Sequence, residues 1–272
     1  MDMTKVLPTD CISKIISLTS PRDACRSSSV SSVFKKAEES DDVWERFLPP
    51  DYQNIILQYS SSSSLTDSLT KRQIFFHLCD HPFLLDNGQM RVGLEKESGK
   101  KCITVGAKGL GIIWGDTLPY WDSISVPQSR FPSVARLNHV WWLDINGRIS
   151  ANILSQRTNY AAFFIFKLET EHCFTHRYVE MSVNKEESGG NGSHRRAILE
   201  ASRNGKKKER ERERGARERE DGWMEIEMGE FFIGENGDDD EGFVDCRLWE
   251  TNGYIKGGLL VEGIEFRPKS SG

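Results

Sequence analysis

Long apolar runs are missing from this sequence of 272 residues. No stretch of about 18 or more apolar residues occurs, which excludes a transmembrane helix. The segment Met1–Thr9 contains Asp2 and no apolar core, so we expect no signal peptide. None of the six cysteines forms a C-x-x-C pair, and a chain of this length needs no disulfide framework. We therefore expect free thiols in a reducing compartment, the cytoplasm and/or the nucleus.

Motifs of known catalytic chemistry are also absent. The sequence contains no G-x-S-x-G elbow, P-loop, H-E-x-x-H pair or dinucleotide fingerprint. The cluster His77, Cys79, Asp80 and His81 matches no zinc-ligand spacing and is better explained as a helix end before Pro82. We therefore expect no enzyme activity, no cofactor and no bound metal.

Residues 1–50 carry a helical pattern. Pro8 suits a first helical turn, and Ile12, Ile15 and Ile16 follow at helical spacing. Ser20-Pro21 predicts the start of a second helix and Pro49-Pro50 the end of a third. Three short helices form a marginal core when left alone. Two interpretations follow: the helices cap the next domain, or they dock on a partner that covers their apolar face.

The second interpretation is favoured by a resemblance to the F-box family. It rests on Leu7-Pro8, the isoleucine run, Ser20–Arg26, Val30-Ser31, Phe34 and Asp42–Trp44, with Thr9 where an acidic residue is common. The resemblance implies docking on the Skp-type adaptor of cullin–RING ubiquitin ligases. It also implies an adaptor-facing surface formed by Leu7, Pro8, Ile12, Ile15, Ile16, Pro21 and Val30.

Residues 51–85 are interpreted as a helical connector with a flexible serine-rich loop at Ser60–Ser64 and a helix at Leu69–Leu78. Over residues 86–268 the pattern changes to short apolar runs separated by Gly, Asn and Asp turns. Asn146-Gly147 and Asn252-Gly253 are hairpin signals. No βαβ rhythm occurs, so we predict an α+β multidomain chain whose second domain is an antiparallel, jelly-roll-like β-sandwich of the lectin type.

Within that domain, the segment Leu110–Trp121 combines a short strand, a Gly-Asp turn and adjacent aromatic residues. An indole ring can stack on the apolar face of a sugar at small entropic cost. Trp is also usually well buried. Trp114 and Trp121 are therefore either core residues or a sugar platform.

Four ordered segments resemble the phloem protein 2 family, which includes the Nictaba-like plant lectins. The resemblance implies that the domain binds N-acetylglucosamine oligomers or N-glycan cores through Trp114 and Trp121, with Tyr120 and Asp116 beside them. Of the two tryptophans, Trp121 follows Pro119 on a predicted loop and is expected to contact the sugar. The segments are Ile112–Trp121, Phe131–Ile149 (FPSVARLNHVWWLDINGRI), Thr158–Leu168, and Asp221–Phe232 with Gly263–Pro268.

A charged insert at about 185–221 interrupts the strand pattern. Its alternating Arg and Glu residues place like charges at i,i+4, which opposes a helix, so we predict disorder. The alternative is a nuclear-import or nucleic-acid patch around Lys206–Arg210. The interspersed Glu residues weaken attraction to phosphate and no aromatic residue could stack on bases, so nucleic acid is not the expected partner.

Together these patterns predict the substrate-recognition subunit of an SCF-type (Skp–cullin–F-box) ubiquitin ligase. The expected partners are the Skp-type adaptor, through it a cullin, and a client that carries N-acetylglucosamine or another recognition feature; no membrane is involved. The alternative is a stand-alone nucleocytoplasmic lectin without a ligase role.

Overall fold

The computed structural model describes residues 7–57, 68–169, 174, 178–185, 192–199, 215–235 and 242–269. The chain divides into two compact units. The first comprises Met1–Leu85 and Val92–Cys102, and the second Asp86–Arg91 and Ile103–Gly272. Within the described ranges, none of the helices has the length and apolarity needed to cross a bilayer.

The first unit is helical, and serine and threonine side chains begin several of its helices. Ser20 and Ser31 accept hydrogen bonds from the backbone three residues later, and Thr70 forms a capping box with Gln73. The cap at Ser31 divides what the sequence predicted as one helix into α2 and α3. The helices are α1 (Thr9–Ile16), α2 (Pro21–Ser27), α3 (Ser32–Glu38), α4 (Asp41–Phe47), α5 (Tyr52–Leu57) and α6 (Lys71–Asp80).

Trp44 is the centre of the core of the first unit. Its side chain is fully buried, and its ring lies 5.6 Å from that of Phe47 and 5.1 Å from that of Phe75. The indole Nε1 donates to the carbonyl of Glu38 at 2.8 Å, so the polar atom of this buried ring is satisfied. Because Phe75 belongs to α6, the helix predicted as a connector shares one core with the N-terminal helices.

The second unit is built from antiparallel strands, and β2 and β3 contribute residues to both units. Its residues form two sheets, in the order β3-β14-β8-β12-β11, with β6 joining β14 to β5, and β10-β9-β13-β7-β4. The strands of the chain are β1 (Phe83–Leu85), β2 (Met90–Leu94), β3 (Lys101–Gly106), β4 (Gly111–Ile112), β5 (Trp121–Ile124), β6 (Val134–Leu137), β7 (Leu143–Ser150), β8 (Thr158–Leu168), β9 (Tyr178–Lys185), β10 (Ser193–Ile198), β11 (Arg217–Glu218), β12 (Met224–Ile233), β13 (Phe243–Glu250) and β14 (Leu259–Pro268).

Alternation along the strands separates core from solvent. On β13, Val244, Cys246 and Leu248 are buried, while the residues between them lie on the opposite face. The same pattern on β7 and β9 gives the sheet β10-β9-β13-β7-β4, called the second sheet below, one apolar and one polar face. The predicted α+β architecture, helices followed by an antiparallel sandwich-like domain, is confirmed.

The hairpin predicted at Asn146-Gly147 is wrong. β7 runs straight through these residues, with Asn146 opposite Arg247 and Gly147 opposite Cys246 on β13. A Cβ at Gly147 would lie 2.8 Å from Cδ1 of Ile264, so this glycine permits close packing of the two sheets instead of a turn.

The predicted disorder of the insert is corrected where the structure describes it. Ser193–Ile198 pairs with β9 as β10, and Arg217–Glu218 pairs with β12 as β11. Ala197 is buried opposite Val179, so the alternation of a half-buried strand is present within a charged segment. The charged run at Lys206–Arg210 lies outside the described residues, as does the serine run at Ser60–Ser64.

A sealed charge cluster ties the loop before β6 to β14. Arg130 donates to Glu262 through Nε at 2.9 Å and Nη2 at 2.6 Å, and to Glu265 through Nη1 at 2.7 Å. Arg219 adds a bond to Glu265 at 3.1 Å. Burial raises the pKa of Glu265, but Arg130, Arg219 and Arg267 outweigh it, so the net pKa lies below its usual range.

Candidate functional site

The candidate site begins where β4 ends. Ile112 pairs with Ile145 on β7, and the N–H of Ile113 donates to the carbonyl of Asp144 at 3.0 Å. The next residue, Trp114, has a φ of 57°, the left-handed region that large side chains rarely adopt. Such a conformation costs about 1–3 kcal/mol and is found most often at functional sites. It ends the strand after two residues and leaves the Trp114 side chain 47% exposed.

Four aromatic side chains follow one another on this surface, and we call them the aromatic row. The Trp114 ring lies 5.7 Å from Tyr120, Tyr120 lies 5.5 Å from His139, and His139 lies 5.9 Å from Trp141. A backbone bond of 2.9 Å from the N–H of Asn138 to the carbonyl of Tyr120 holds the two segments together. The row therefore joins two loops that are separate in sequence.

Trp121 does not belong to the row, and the prediction that it lies on a loop and contacts sugar is wrong. It begins β5, opposite Leu137 on β6, and its side chain is only 2% exposed. A ring sealed at that level cannot stack on a ligand. Among the described residues, its buried Nε1 has no hydrogen-bond partner. The sequence favoured Trp121 over Trp114 as the exposed ring because Pro119 indicated a loop. That loop ends before Trp121, where β5 begins.

The other predicted residues of this turn lie at the surface. Asp116 is exposed two residues after Trp114, and Tyr120 is half-buried between Trp114 and His139. His139 and Trp141 were missed as site residues. The pair Trp141-Trp142 could have indicated an exposed ring, because consecutive side chains of a strand point to opposite faces and cannot both face the core. Both of these tryptophans are in fact exposed.

A buried lysine holds the loop beside Trp141. The Nζ of Lys256 donates to the carbonyls of Trp141 at 2.6 Å, Asn252 at 2.7 Å and Tyr254 at 3.0 Å. It also pairs with the carboxylate of Glu250 at 2.5 Å. Lys256 is fully buried, and these oxygens stabilise its charge. The exposed side chain of Tyr254 therefore lies on a loop whose backbone is bonded to a buried lysine.

The arrangement suits a ligand with both apolar and hydroxyl surfaces. Trp114 and Trp141 present aromatic faces to solvent, and Tyr120 and His139 place a hydroxyl and ring nitrogens between them. Rigid rings lose little conformational entropy on binding. The described residues contain no group of three or more His, Cys, Asp or Glu side chains that could hold a metal ion.

The first unit has an exposed aliphatic surface. Ile15 is 52% and Val30 66% exposed, and Pro8 and Leu18 are exposed as well. We call Pro8, Ile15, Leu18 and Val30 the aliphatic surface. Leu7 is partly buried against the core. An exposed group of large aliphatic residues is typical of a protein-binding site.

Three residues predicted to face the adaptor do not lie on this surface. Ile12, Ile16 and Pro21 are buried, the first two on the face of α1 that packs on the core around Trp44. Ile12 and Ile16 are four residues apart and share the buried face of α1, whereas Ile15 lies at the edge of that face and is exposed. These three residues stabilise the unit and leave Ile15 as the exposed isoleucine of α1.

The chain has the organisation of an F-box protein with a C-terminal β-sheet domain. The F-box domain model matches residues 6–46, and the phloem protein 2 model matches residues 100–268. Two proteins of Arabidopsis thaliana are similar over nearly their whole length. F-box protein PP2-B10 is 41% identical over 263 residues, covering 96% of this chain and 92% of that protein. F-box protein PP2-B1 is 38% identical over 307 residues, covering 97% and 90%.

The chain therefore belongs to the phloem protein 2 family, in its F-box-containing branch. Similarity to solved structures is much weaker. A GH26-CBM35 β-(1,4)-mannanase from Podospora anserina aligns with 63% of this chain and 28% of its own, with a TM-score of 0.32 and 11% identity. A likeness at that level carries no argument about function.

Proposed function

We propose that the protein is the substrate-recognition subunit of an SCF-type ubiquitin ligase and that its β domain recognises N-acetylglucosamine-containing glycans on client proteins. The observation that carries the proposal is the presence, in one chain, of an exposed aliphatic surface on an F-box and an exposed aromatic row on a phloem protein 2 domain. The chain itself is non-catalytic in this scheme, and ubiquitin transfer is performed by its partners in the cytoplasm or nucleus.

The aliphatic surface supports docking on a Skp-type adaptor and, through it, on a cullin. Pro8, Ile15, Leu18 and Val30 are too large and too apolar to favour exposure, and covering them removes apolar area from water. A protein with a complementary apolar face is the partner that this chemistry favours.

The aromatic row supports glycan recognition. Trp114 and Trp141 are each 47% exposed, and Tyr120 and His139 lie between them. An N-acetylglucosamine unit has an apolar ring face and a methyl group that can pack on indole, together with hydroxyl and amide groups that can bond to Asp116, Tyr120 or His139. The strained backbone at Trp114 orients the first of these rings outward.

Docking is tested by co-purifying the full chain with its Skp-type adaptor. We expect Ile15→Asp combined with Val30→Asp to weaken capture by at least about 100-fold, since two interface positions of hot-spot strength are lost. Trp114→Ala is the matched control and leaves capture unchanged. Undiminished capture by the double variant would overturn the docking surface.

Glycan recognition is tested on an array of glycans probed with the full chain. The wild type and the Ile15→Asp/Val30→Asp variant should bind glycans with terminal or core N-acetylglucosamine, whereas Trp114→Ala should bind them at least about tenfold more weakly. Glycan binding without any adaptor capture by the wild type would instead indicate a stand-alone lectin. Adaptor capture with no glycan bound would point to a client recognised through protein contacts alone.

A further inference from the structure

The polar face of the second sheet carries a groove that shares no residue with the aromatic row. On β7, β9 and β13 the residues that alternate with the core point outward. They line an open groove with a volume of about 480 Å³, within the range of small-molecule sites. We call it the outer groove; its lining includes Asn146, Arg148, Ser182, Asn184, Asp245 and Arg247.

The strand register brings these side chains together from three neighbouring strands. Arg247 lies opposite Asn146 on one side and Ser182 on the other, and Asp245 lies opposite Arg148 and Asn184. Adjacent strands are about 4.8 Å apart, so hydrogen-bonding groups recur across the groove at that spacing. Amide, hydroxyl, guanidinium and carboxylate groups are all present, which provides both donors and acceptors.

The charges of the outer groove are balanced. Arg247 donates to Asp144 through Nε at 2.9 Å and Nη2 at 2.6 Å, and Arg148 lies 3.6 Å from Asp245. Because each arginine is paired with a carboxylate, the groove has no excess positive charge to attract a polyanion. A neutral ligand with many hydroxyl groups fits this balance better than a phosphorylated one.

Two aromatic rings flank the groove along β13, Phe243 exposed and Trp249 half-buried. Phe243 packs under the guanidinium of Arg148 at 4.0 Å, and Trp249 lies 5.0 Å from that of Arg247. Both rings are on the same face as the groove, at opposite ends of the strand, and with five residues between them they lie roughly 20 Å apart along the strand. Aromatic faces at the ends of a polar channel suit an elongated molecule whose units have apolar faces.

We propose that the outer groove is a second ligand site, which binds a short neutral oligosaccharide across the second sheet. It acts independently of glycan binding at the aromatic row. The full chain would then hold a glycan at two places, which increases the effective affinity for a multivalent or branched client when both sites can be engaged together.

The test uses isothermal titration calorimetry of the full chain carrying Trp114→Ala. This substitution removes a ring of the aromatic row, so that binding at the groove is measured without it. Triacetylchitotriose and cellotriose are the neutral probes, and a heparin hexasaccharide and a short single-stranded RNA are the charged ones. We expect this variant to bind at least one neutral probe and neither charged probe. Binding of neither neutral probe, or of a charged probe with higher affinity, would overturn the proposal.

Substitutions within the groove then locate the bound probe. Ser182→Tyr fills the groove from an outward-facing strand position and should weaken binding by about tenfold or more, whereas Ser182→Thr should leave it nearly unchanged. Asn146→Ala provides a second variant with little effect on packing, and it should also weaken binding. If Ser182→Tyr and Asn146→Ala both bind the probe like their parent while remaining folded by circular dichroism, the site is elsewhere.

Discussion

The sealed charge cluster and the outer groove both contain arginine–carboxylate pairs, but the pairs differ in their exposure to solvent. In the cluster, Arg130 and the carboxylates of Glu262 and Glu265 are removed from solvent, and Glu262 is fully buried. In the groove, Arg148 and Asp245 remain about half exposed around an open cavity. A sealed arginine–carboxylate pair holds a loop to a strand, whereas an open pair supplies polarity to a surface.

The same contrast separates the two tryptophans of the segment Leu110–Trp121. Trp121 is sealed in the core and Trp114 is open to solvent, although only six residues lie between them. Residue type therefore does not show whether a tryptophan of this segment stabilises the fold. Its burial does, and the substitutions below measure the consequences of burial and of exposure separately.

The largest effect is expected from Arg130→Met. It leaves Glu262 without its charge partner inside the protein, and breaking a buried pair in this way costs about 3–5 kcal/mol of unfolding free energy. Urea unfolding of the full chain, monitored by circular dichroism, measures the loss. A loss below about 1 kcal/mol would mean that the cluster is not sealed in solution.

Trp121→Ala should cost a similar amount, about 3–5 kcal/mol, because it empties a large core site. Trp114→Ala should change unfolding free energy by no more than about 0.5 kcal/mol, since the ring is at the surface. Comparing the thermal transitions of the two variants checks the assignment. Equal destabilisation by both would remove the distinction between a core ring and a binding ring.

Lowering the pH should weaken the stabilisation that the sealed charge cluster provides. The pKa of Glu265 is lower in the folded protein than in the unfolded chain, so its stabilising contribution is fully present above about pH 4.3, the unfolded value. That contribution is lost as the pH falls through the lower, folded pKa. Urea midpoints measured from pH 6 down to pH 3 should fall steeply in the wild type and less steeply in Glu265→Gln. Parallel curves would contradict the role of this carboxylate.

A small effect is also expected from Arg148→Met in the outer groove. Its pair with Asp245 is solvent-exposed and 3.6 Å long, so its removal should cost at most about 1 kcal/mol. The same urea titration used for Arg130→Met measures it. A cost as large as that of Arg130→Met would show that the groove is part of the fold and not an open surface.

Much of the fold was predictable because periodicity is a local property of the chain. The spacing of Ile12 and Ile16 indicated a helix, and the alternation around Cys246 and Leu248 indicated a half-buried strand; both are present. The segment Ser193–Ile198 was assigned to a disordered insert because its charges masked a short alternation that β9 completes by pairing.

The site was less predictable, because turn signals and aromatic residues have more than one use. Asn146-Gly147 is a common hairpin dipeptide, but here it lies within a strand. Glycine is needed at position 147 because a Cβ there would be too close to Ile264. His139 and Tyr120 are 19 positions apart and meet only because Asn138 bonds to the backbone of Tyr120. No local pattern contains that contact.

By itself, the sequence determined the order of helices and strands, the two-part organisation and the family resemblance, because these depend on hydrophobic spacing and on ordered motifs. Tertiary structure alone decided which tryptophan is sealed, which isoleucine of α1 is exposed and which arginines are buried. The physical reason is that burial is set by neighbours from distant parts of the chain. Trp114 and Trp121 have the same side chain, and only the packing around each one leaves the first exposed and places the second in the core.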